Sequence, residues 1–479
     1  MKYCLVPLGC QMNLSDAERI RSVLEQIGYI STETEEEADI LGIVACSVRQ
    51  KSIDKVYSKI EKWNKWKNSR SLLTFVSGCI LPADREKFLK RFDLLFQINE
   101  LPDLPEMIRQ YGIVTPASLS WETATIPKVS ARSATGSVSD IEVSDAQFIP
   151  LSRLRDRKSD YWKIQPHYQS AFEAHVPIQN GCDKFCTFCA VPYTRGREVS
   201  RSSEEIIAEV SRLVDGGYRS ITLLGQNVNS YGLDRNGSEI PFAELLRQIG
   251  ELGRRSGRRF WVYFTSPHPH DMTEELLEVI AEYDCLAKQI HLPIQSGDDK
   301  VLIKMNRNYR LSHYRAVVAN IRRILPDATL FTDVIVGFSG ETEAQFEATR
   351  SAMREFRYNM AYIAMYSPRP GAASARWDDD IPLEEKKRRL HELSTELQVT
   401  SGGHNQTLVG RTLTVLVQGH DRKDGYLSGR TEGLLTVRFP SDDEGLVGKF
   451  VEVEIGSCAP LSLSGALVTA GSPATAGAL

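Results

Sequence analysis

Three cysteines fall within eight positions in "GCDKFCTFC", at Cys182, Cys186 and Cys189, in a chain that has only nine in 479 residues. Thiols clustered this way favour metal binding or redox chemistry over packing. A structural zinc takes four protein ligands, and no Cys or His nearby completes such a set. Three thiolates in one short loop instead suit an iron–sulfur cube with three irons anchored and the fourth open to another ligand.

A second set is scattered. Cys10, Cys46 and Cys79 end "VPLGC", "GIVAC" and "FVSGC", so each directly follows a short apolar run. If those runs are parallel strands, the loops at their carboxyl ends converge on one sheet edge and the thiols meet there. The alternative is three buried cysteines that merely pack as small hydrophobes. Cys4, Cys285 and Cys458 follow no such pattern and are read as core residues.

The elements that position these residues are legible as periodicity. "YCLVPLG", "DILGIVA" and "LLTFVSG" are apolar runs of strand length, whereas "LSDAERIRSVLEQIG" repeats at helical spacing through Ile20, Val23, Leu24 and Ile27. That alternation predicts a parallel sheet covered on both faces. Residues 115–147 are rich in Ser, Thr and Ala without sustained periodicity and read as a partly disordered linker. From His175 the strand candidates "HVPIQN", "ITLLG", "FWVYFTS", "KQIHLPI", "TLFTDVIVG" and "MAYIAMY" alternate with helices. One of these, "SSEEIIAEVSRLVDGG", opens with Ser202 and Glu205 at capping-box spacing and stops at Gly216-Gly217. Six such units make either an open doubly wound sheet or an incomplete β/α barrel, and in both, ligands gather at the carboxyl ends of the strands. Beyond the charged helix at "LEEKKRRLHELSTELQ", the runs "TLTVLVQGHD", "GYLSGRTEG", "LLTVRFP" and "KFVEVEIGSC" predict a small all-β barrel. The expected division is 1–114, a linker at 115–167, 168–402, 403–470 and a disordered tail at 471–479.

Composition bounds the rest. With 42% hydrophobic and 25% charged residues the chain reads as soluble, globular and several domains long. It has no apolar run of membrane-spanning length, and the apolar stretch after Met1-Lys2 ends by Gln11 without a cleavage-like segment. A cytoplasmic protein, monomeric and without membrane contact, is expected. A net charge of −4 gives no global sign of nucleic-acid binding, so any such role rests on local patches.

The C-x3-C-x-aromatic-C loop, with Phe188 as the aromatic, resembles the signature of the radical S-adenosylmethionine (SAM) enzymes, whose fold is a partial β/α barrel. That resemblance implies a 4Fe-4S cluster on Cys182, Cys186 and Cys189 whose open iron is chelated by SAM. It also implies SAM contacts from Gly225-Gln226 after the second strand, Gln295-Ser296 after the fourth, and the "VIVGFSGE" segment near Gly337. For these the alternative is ordinary turn chemistry. "GCQMNLSDAERI", "CSVRQKS", "YTRGREVSR", "LLGQNVNSYG", "TSPHPHDM", "HLPIQSGDDKVLIKMNRNY" and "DVIVGFSGET" together resemble the methylthiotransferases, most closely the tRNA branch acting on isopentenyladenosine. The resemblance spans nearly the whole chain: an amino-terminal methylthiotransferase domain, a partial six-unit radical-SAM barrel and a small carboxyl-terminal TRAM barrel. It implies a second, auxiliary 4Fe-4S cluster on Cys10, Cys46 and Cys79. One SAM then methylates a sulfur species on that cluster and a second is cleaved to a radical that prepares the adenosine carbon. The chain departs from the family pattern with Val44-Ala45 before Cys46 and Leu8 before Gly9-Cys10, positions that adjoin the auxiliary ligands.

The implied partners are tRNA, an external electron donor and a sulfur donor. The barrel segment with "GRTEG" is the expected RNA-holding module, yet residues 403–470 carry six Lys/Arg against eight Asp/Glu. Two other stretches mix basic and aromatic residues: Gln50 to Arg70, with seven Lys/Arg beside Tyr57, Trp63 and Trp66, and Arg153 to Lys163. Both suit a phosphate backbone with unstacked bases, or else are solvated charge. Two rivals stay open. One is a sister methylthiotransferase acting on threonylcarbamoyladenosine or a ribosomal-protein aspartate. The other is a non-catalytic RNA-binding protein whose clusters only stabilise the fold.

Overall fold

The computed structural model describes residues 1–47, 50–111 and 160–468. The Ser/Thr/Ala-rich stretch 115–147, residues 153–159 of the second basic segment and the tail 471–479 lie outside the described residues.

In the amino-terminal unit, strands Lys2–Leu8, Ile40–Cys46 and Leu73–Cys79 lie side by side and parallel, flanked by two-residue strands Ile30–Ser31 and Leu94–Leu95. Strand geometry sends alternate side chains to opposite faces. Tyr3, Ile40 and Val44 accordingly meet Ile20, Val23 and Leu24 of helix Gln11–Gln26. Cys4, Leu41, Ile43 and Ala45 meet Ile53, Val56, Ile60 and Trp63 of helix Gln50–Trp66. Burial on both faces is why these strands read as unbroken apolar runs. Cys4 is a core residue, as expected.

The central unit holds six parallel strands. Glu173–Pro177, Ser220–Leu224 and Trp261–Phe264 form one sheet, and Gln289–His291, Thr329–Val336 and Met360–Met365 a second. A single bridge between Val262 and Leu286 joins them. Neighbours are always consecutive in sequence, whereas a doubly wound sheet reverses its order at a switch point. Of the two architectures open at the sequence level, the structure is therefore the incomplete barrel. The predicted capping box is corrected: Ser202 does stand at the N-cap of helix Ser203–Asp215, but its side chain makes no cap bond. Glu205 is drawn instead to Arg201, whose Nε donates to it at 3.1 Å.

Helix Leu383–Gln406 leads to a closed barrel of Thr412–His420, Tyr426–Arg430, Thr436–Pro440, Phe450–Ala459 and Ser462–Leu467. Val415, Val417, Leu427, Phe439 and Ile455 fill it. The barrel sits on the amino ends of the central strands, opposite the end that carries the cysteine loop. Glu432 accepts from the Lys288 amide at 2.9 Å, the Gly433 carbonyl accepts from Thr329 Oγ1 at 2.8 Å, and Gln418 donates to Glu173 at 2.8 Å. A Cβ on Gly433 would come 2.6 Å from Thr329 Cγ2. "GRTEG" thus contributes a docking turn within this chain. Cys285 is half-buried beneath Gly253, and Cys458 is half-buried beside Gln406 at the barrel surface, so neither is a fully buried core residue.

Candidate active site: two cysteine sites on adjoining units

The first cysteine set sits in the loop after strand Glu173–Pro177. Gly181 turns the chain with φ +80°, and a Cβ there would lie 2.1 Å from the Arg197 carbonyl oxygen. Only glycine accepts both conditions. The loop is then pinned from several sides. The Cys182 amide donates to Gly196 O at 3.2 Å, the Thr187 amide to Met305 O at 3.0 Å, and Asn306 Nδ2 to Phe185 O at 3.1 Å. Arg307 Nη1 reaches the Cys186 sulfur at 3.4 Å. The clamp from Lys304 to Arg307 lies in "IKMNRNY", and its contacts to the loop cross more than 115 residues of chain. Phe188 packs against Val301, Met305, Phe338 and Tyr366. Burial pushes the Cys182 thiol up to about 11 and the Cys189 thiol up to about 12. A bound metal reverses that preference outright, because coordination holds the thiolate deprotonated.

The expected SAM contacts divide. Gly225 is packed so closely that a Cβ would lie 3.0 Å from both Gln179 Oε1 and Val228 Cγ1. Beside it, Gln179 Oε1, Gln226 Oε1 and Asn227 Oδ1 are buried acceptors without a hydrogen-bond partner. Such atoms are costly unless a ligand or solvent satisfies them, so this corner fits a polar guest. Gln295 sits at φ +67° with its backbone tied to Asp333 and Ile335. Ser296 is turned onto Thr349 Oγ1 at 3.3 Å, and the Gly337 amide donates to Glu341 at 2.6 Å. These last two are engaged in structural bonds.

The scattered cysteines stand along one edge of the amino-terminal sheet. Cys46 and Cys79 are paired positions at the ends of adjacent strands, and Cys10 caps helix Gln11–Gln26 beside them. Asn13, fully buried, ties the three loops together. Its Nδ2 donates to Ala45 O at 2.6 Å, and its Oδ1 lies 3.4 Å from the Cys10 sulfur and 4.0 Å from the Cys79 sulfur. A Cβ on Gly9 or Gly78 would strike this same side chain at 2.6 and 2.8 Å. Two arginines of the central unit face the set. Arg195 Nε donates to Cys79 Sγ at 2.9 Å, and Arg369, whose charge interacts with Cys46, donates to Gln50 at 3.0 Å. Burial pushes the Cys79 thiol up to about 12, with Arg195 pulling it back. Among the described residues no three Cys, His, Asp or Glu side chains close on one point, as a single ion requires. A cube takes each thiolate on a different iron, so its ligands stand apart. The donor set at both sites fits such a group.

Asn13 and Arg195 lie within "GCQMNLSDAERI" and "YTRGREVSR", where nothing local in the sequence marks these contacts. The basic helix, conversely, loses much of its free charge. Lys59 and Lys62 pair with Glu35, Lys67 pairs with Asp93, Trp63 is buried, and Arg70 is bound to the carbonyls of Glu35 and Glu36. On the carboxyl-terminal barrel, His420, Arg422, Lys423, Ser428 and Arg438 gather with Asp421 around an open cleft of about 620 Å³.

A partial barrel of six β/α units with a three-cysteine loop after its first strand is the architecture of a radical SAM enzyme. The Radical SAM superfamily model matches residues 176–353, the Uncharacterized protein family UPF0004 residues 2–97 and the TRAM domain residues 406–468. A radical S-adenosylmethionine methyltransferase, TsrM from Kitasatospora setae, solved with tryptophan and a SAM analog, shares the fold. Its TM-score is 0.52, over 88% of this chain and 79% of that one at 13% identity. The tRNA-2-methylthio-N(6)-dimethylallyladenosine synthase of a Thermus thermophilus strain is 37% identical, covering 99% of this chain and 93% of that protein. The synthase of Geobacter metallireducens is 38% identical, covering 96% of each. The chain belongs to this family of radical SAM tRNA-modifying synthases.

Proposed function

We propose that the chain adds a methylthio group to isopentenyladenosine beside the anticodon of tRNA. The observation that carries this reading is the 37% identity to a synthase of this family over 99% of the chain, and two sets of three cysteines, one in the loop after the first barrel strand and one beside the ends of adjoining amino-terminal strands, support it. An aromatic ring C–H has no acidic proton, so no ordinary general base replaces it, and the difficult step falls to a cofactor. Bound at the barrel mouth, a 4Fe-4S cluster with SAM supplies the one-electron chemistry that such a carbon requires.

In this reading Cys182, Cys186 and Cys189 hold that cluster, and the clamp from Lys304 to Arg307 keeps their loop in place. Gln179, Gln226 and Asn227, beside Gly225, receive the polar parts of SAM, with Gln295, Ser296 and Gly337 shaping the turns around it. Cys10, Cys46 and Cys79 hold a second 4Fe-4S cluster that carries the sulfur to be transferred, and Asn13 keeps their three loops in register. Arg422, Lys423 and Arg438 on the carboxyl-terminal barrel contact phosphates, which position RNA without reading its sequence. An electron donor and a sulfur donor act from outside a monomeric, cytoplasmic chain. The functional units are 1–114, 168–402 and 403–470. Among the described residues no helix is long and apolar enough to cross a membrane.

The test is anaerobic reconstitution with iron, sulfide, SAM and tRNA bearing isopentenyladenosine. Intact protein is expected to form 5′-deoxyadenosine and the methylthiolated nucleoside, and Cys186→Ala neither. Cys46→Ala is expected to retain 5′-deoxyadenosine without the nucleoside. Methylthiolated product from Cys46→Ala would sink the auxiliary-site assignment. No SAM cleavage by the reduced intact protein would favour a non-catalytic role.

A further inference from the structure

Arg195 occupies an unusual place. It ends the short helix Val191–Arg195, which begins two residues after Cys189, and the carbonyl of the following Gly196 accepts from the Cys182 amide at 3.2 Å. Its backbone is thus part of the first cysteine loop. Its side chain leaves that loop and enters the other unit, with Nε 2.9 Å from Cys79 Sγ and Nη2 2.5 Å from Asp16 Oδ2 on helix Gln11–Gln26. Nη1 returns to Asn180 Oδ1 at 3.0 Å. Both members of the Arg195–Asp16 pair are only 3% exposed.

Burying a guanidinium this deeply is expensive, and a pair of apolar residues often fills the same space at no loss of stability. The planar fork does something an apolar pair does not, since it fixes three acceptors on two units in one geometry. We infer that Arg195 is a positioning residue that registers the two cysteine sites against each other and, through its N–H to the Cys79 sulfur, tunes the auxiliary cluster. The inference rests on the two-cluster reading above. Hydrogen bonds to cluster sulfurs and nearby positive charge stabilise the reduced, more negative state, so they raise its reduction potential.

The experiment uses the full chain with Cys182, Cys186 and Cys189 all changed to Ala, which leaves only the auxiliary site to load. Iron content is measured, then the electron paramagnetic resonance spectrum and the midpoint potential of the reduced cluster. A parent that holds about four irons supports the two-cluster reading, and one that holds none overturns it before any Arg195 variant is made. On that background Arg195→Lys keeps a charge for Asp16 but loses the fork. Arg195→Met with Asp16→Asn removes the charge pair without leaving a buried carboxylate alone. Both are expected to load iron, to show a changed spectrum and to have a more negative midpoint potential, with the larger shift in the uncharged pair. With all cysteines intact, Arg195→Lys is expected to raise the ratio of 5′-deoxyadenosine to methylthiolated nucleoside at least several-fold. A loaded, folded variant with unchanged spectrum and potential would refute the tuning role, and an unchanged product ratio the registering role. If neither variant folds, Arg195 is a stability residue and the inference is overturned.

Discussion

Glu18 lies on helix Gln11–Gln26 where the amino-terminal unit meets the central one, and it is 6% exposed. Burial raises its carboxyl from 4.5 to about 7, against the opposing pull of the Gln169 amide and Arg19. The contact from Gln169 N is long at 3.4 Å, and Oε2 has no hydrogen-bond partner. The folded state therefore holds its proton more tightly than the unfolded chain. Below about pH 4.5 both states are protonated and the group is neutral to stability. As pH rises from 4.5 towards 7 the unfolded chain releases its proton first, so this group makes stability fall with pH. At about 1.4 kcal/mol per pH unit, the full cost above pH 7 is about 3.5 kcal/mol. Glu18→Gln removes the titration and keeps the shape. Because a chain of several units need not unfold in one step, the readout is the pH profile of the difference in thermal midpoint between variant and parent, followed by circular dichroism. The variant is expected to gain most at pH 8, progressively less towards pH 5, and nothing near pH 4.5. A difference that does not change with pH, or a parent favoured at pH 8, would refute the reasoning.

Asn13→Ala removes a fully buried amide and the hydrogen bond it donates to Ala45 O, a loss of about 1–3 kcal/mol. Iron analysis on the background lacking the first cysteine set is expected to show reduced loading. Gly181→Ala forces an alanine to φ +80° against the Arg197 carbonyl. Strain of roughly 1–3 kcal/mol plus the overlap displaces the loop, and iron bound by Cys182, Cys186 and Cys189 is expected to fall while the other site still loads. Arg422→Ala with Lys423→Ala is expected to weaken tRNA binding similarly for different tRNAs and to lower the salt slope by about 1 for each phosphate the variant no longer neutralises, read by filter binding across salt concentrations.

Strand positions were legible because burial on both faces leaves unbroken apolar runs, and the three cysteine-ending runs do pair in adjacent strands. Periodicity did not choose between sheet and barrel, since both repeat the same strand–helix unit and differ only in strand order. Interactions with distant segments were the other gap. Lysines from Gln50 to Arg70 are visible in sequence, but the carboxylates of Glu35 and Asp93 that neutralise several of them come from elsewhere in the unit. Ser202 and Glu205 have capping spacing, and Arg201 takes the glutamate first. "GRTEG" has no local mark of the central strands it docks on. Asn13 and Arg195 are ordinary polar residues in sequence, and only the folded chain brings Arg195 to a sulfur 116 residues away.

The central claim is tested most directly by mass spectrometry of nucleosides from tRNA of the host organism with and without this chain. The account predicts that without it 2-methylthio-isopentenyladenosine disappears and isopentenyladenosine accumulates, and that the intact chain restores the product while Cys186→Ala does not. Unchanged 2-methylthio-isopentenyladenosine, or loss of the methylthio group only from threonylcarbamoyladenosine, would contradict it.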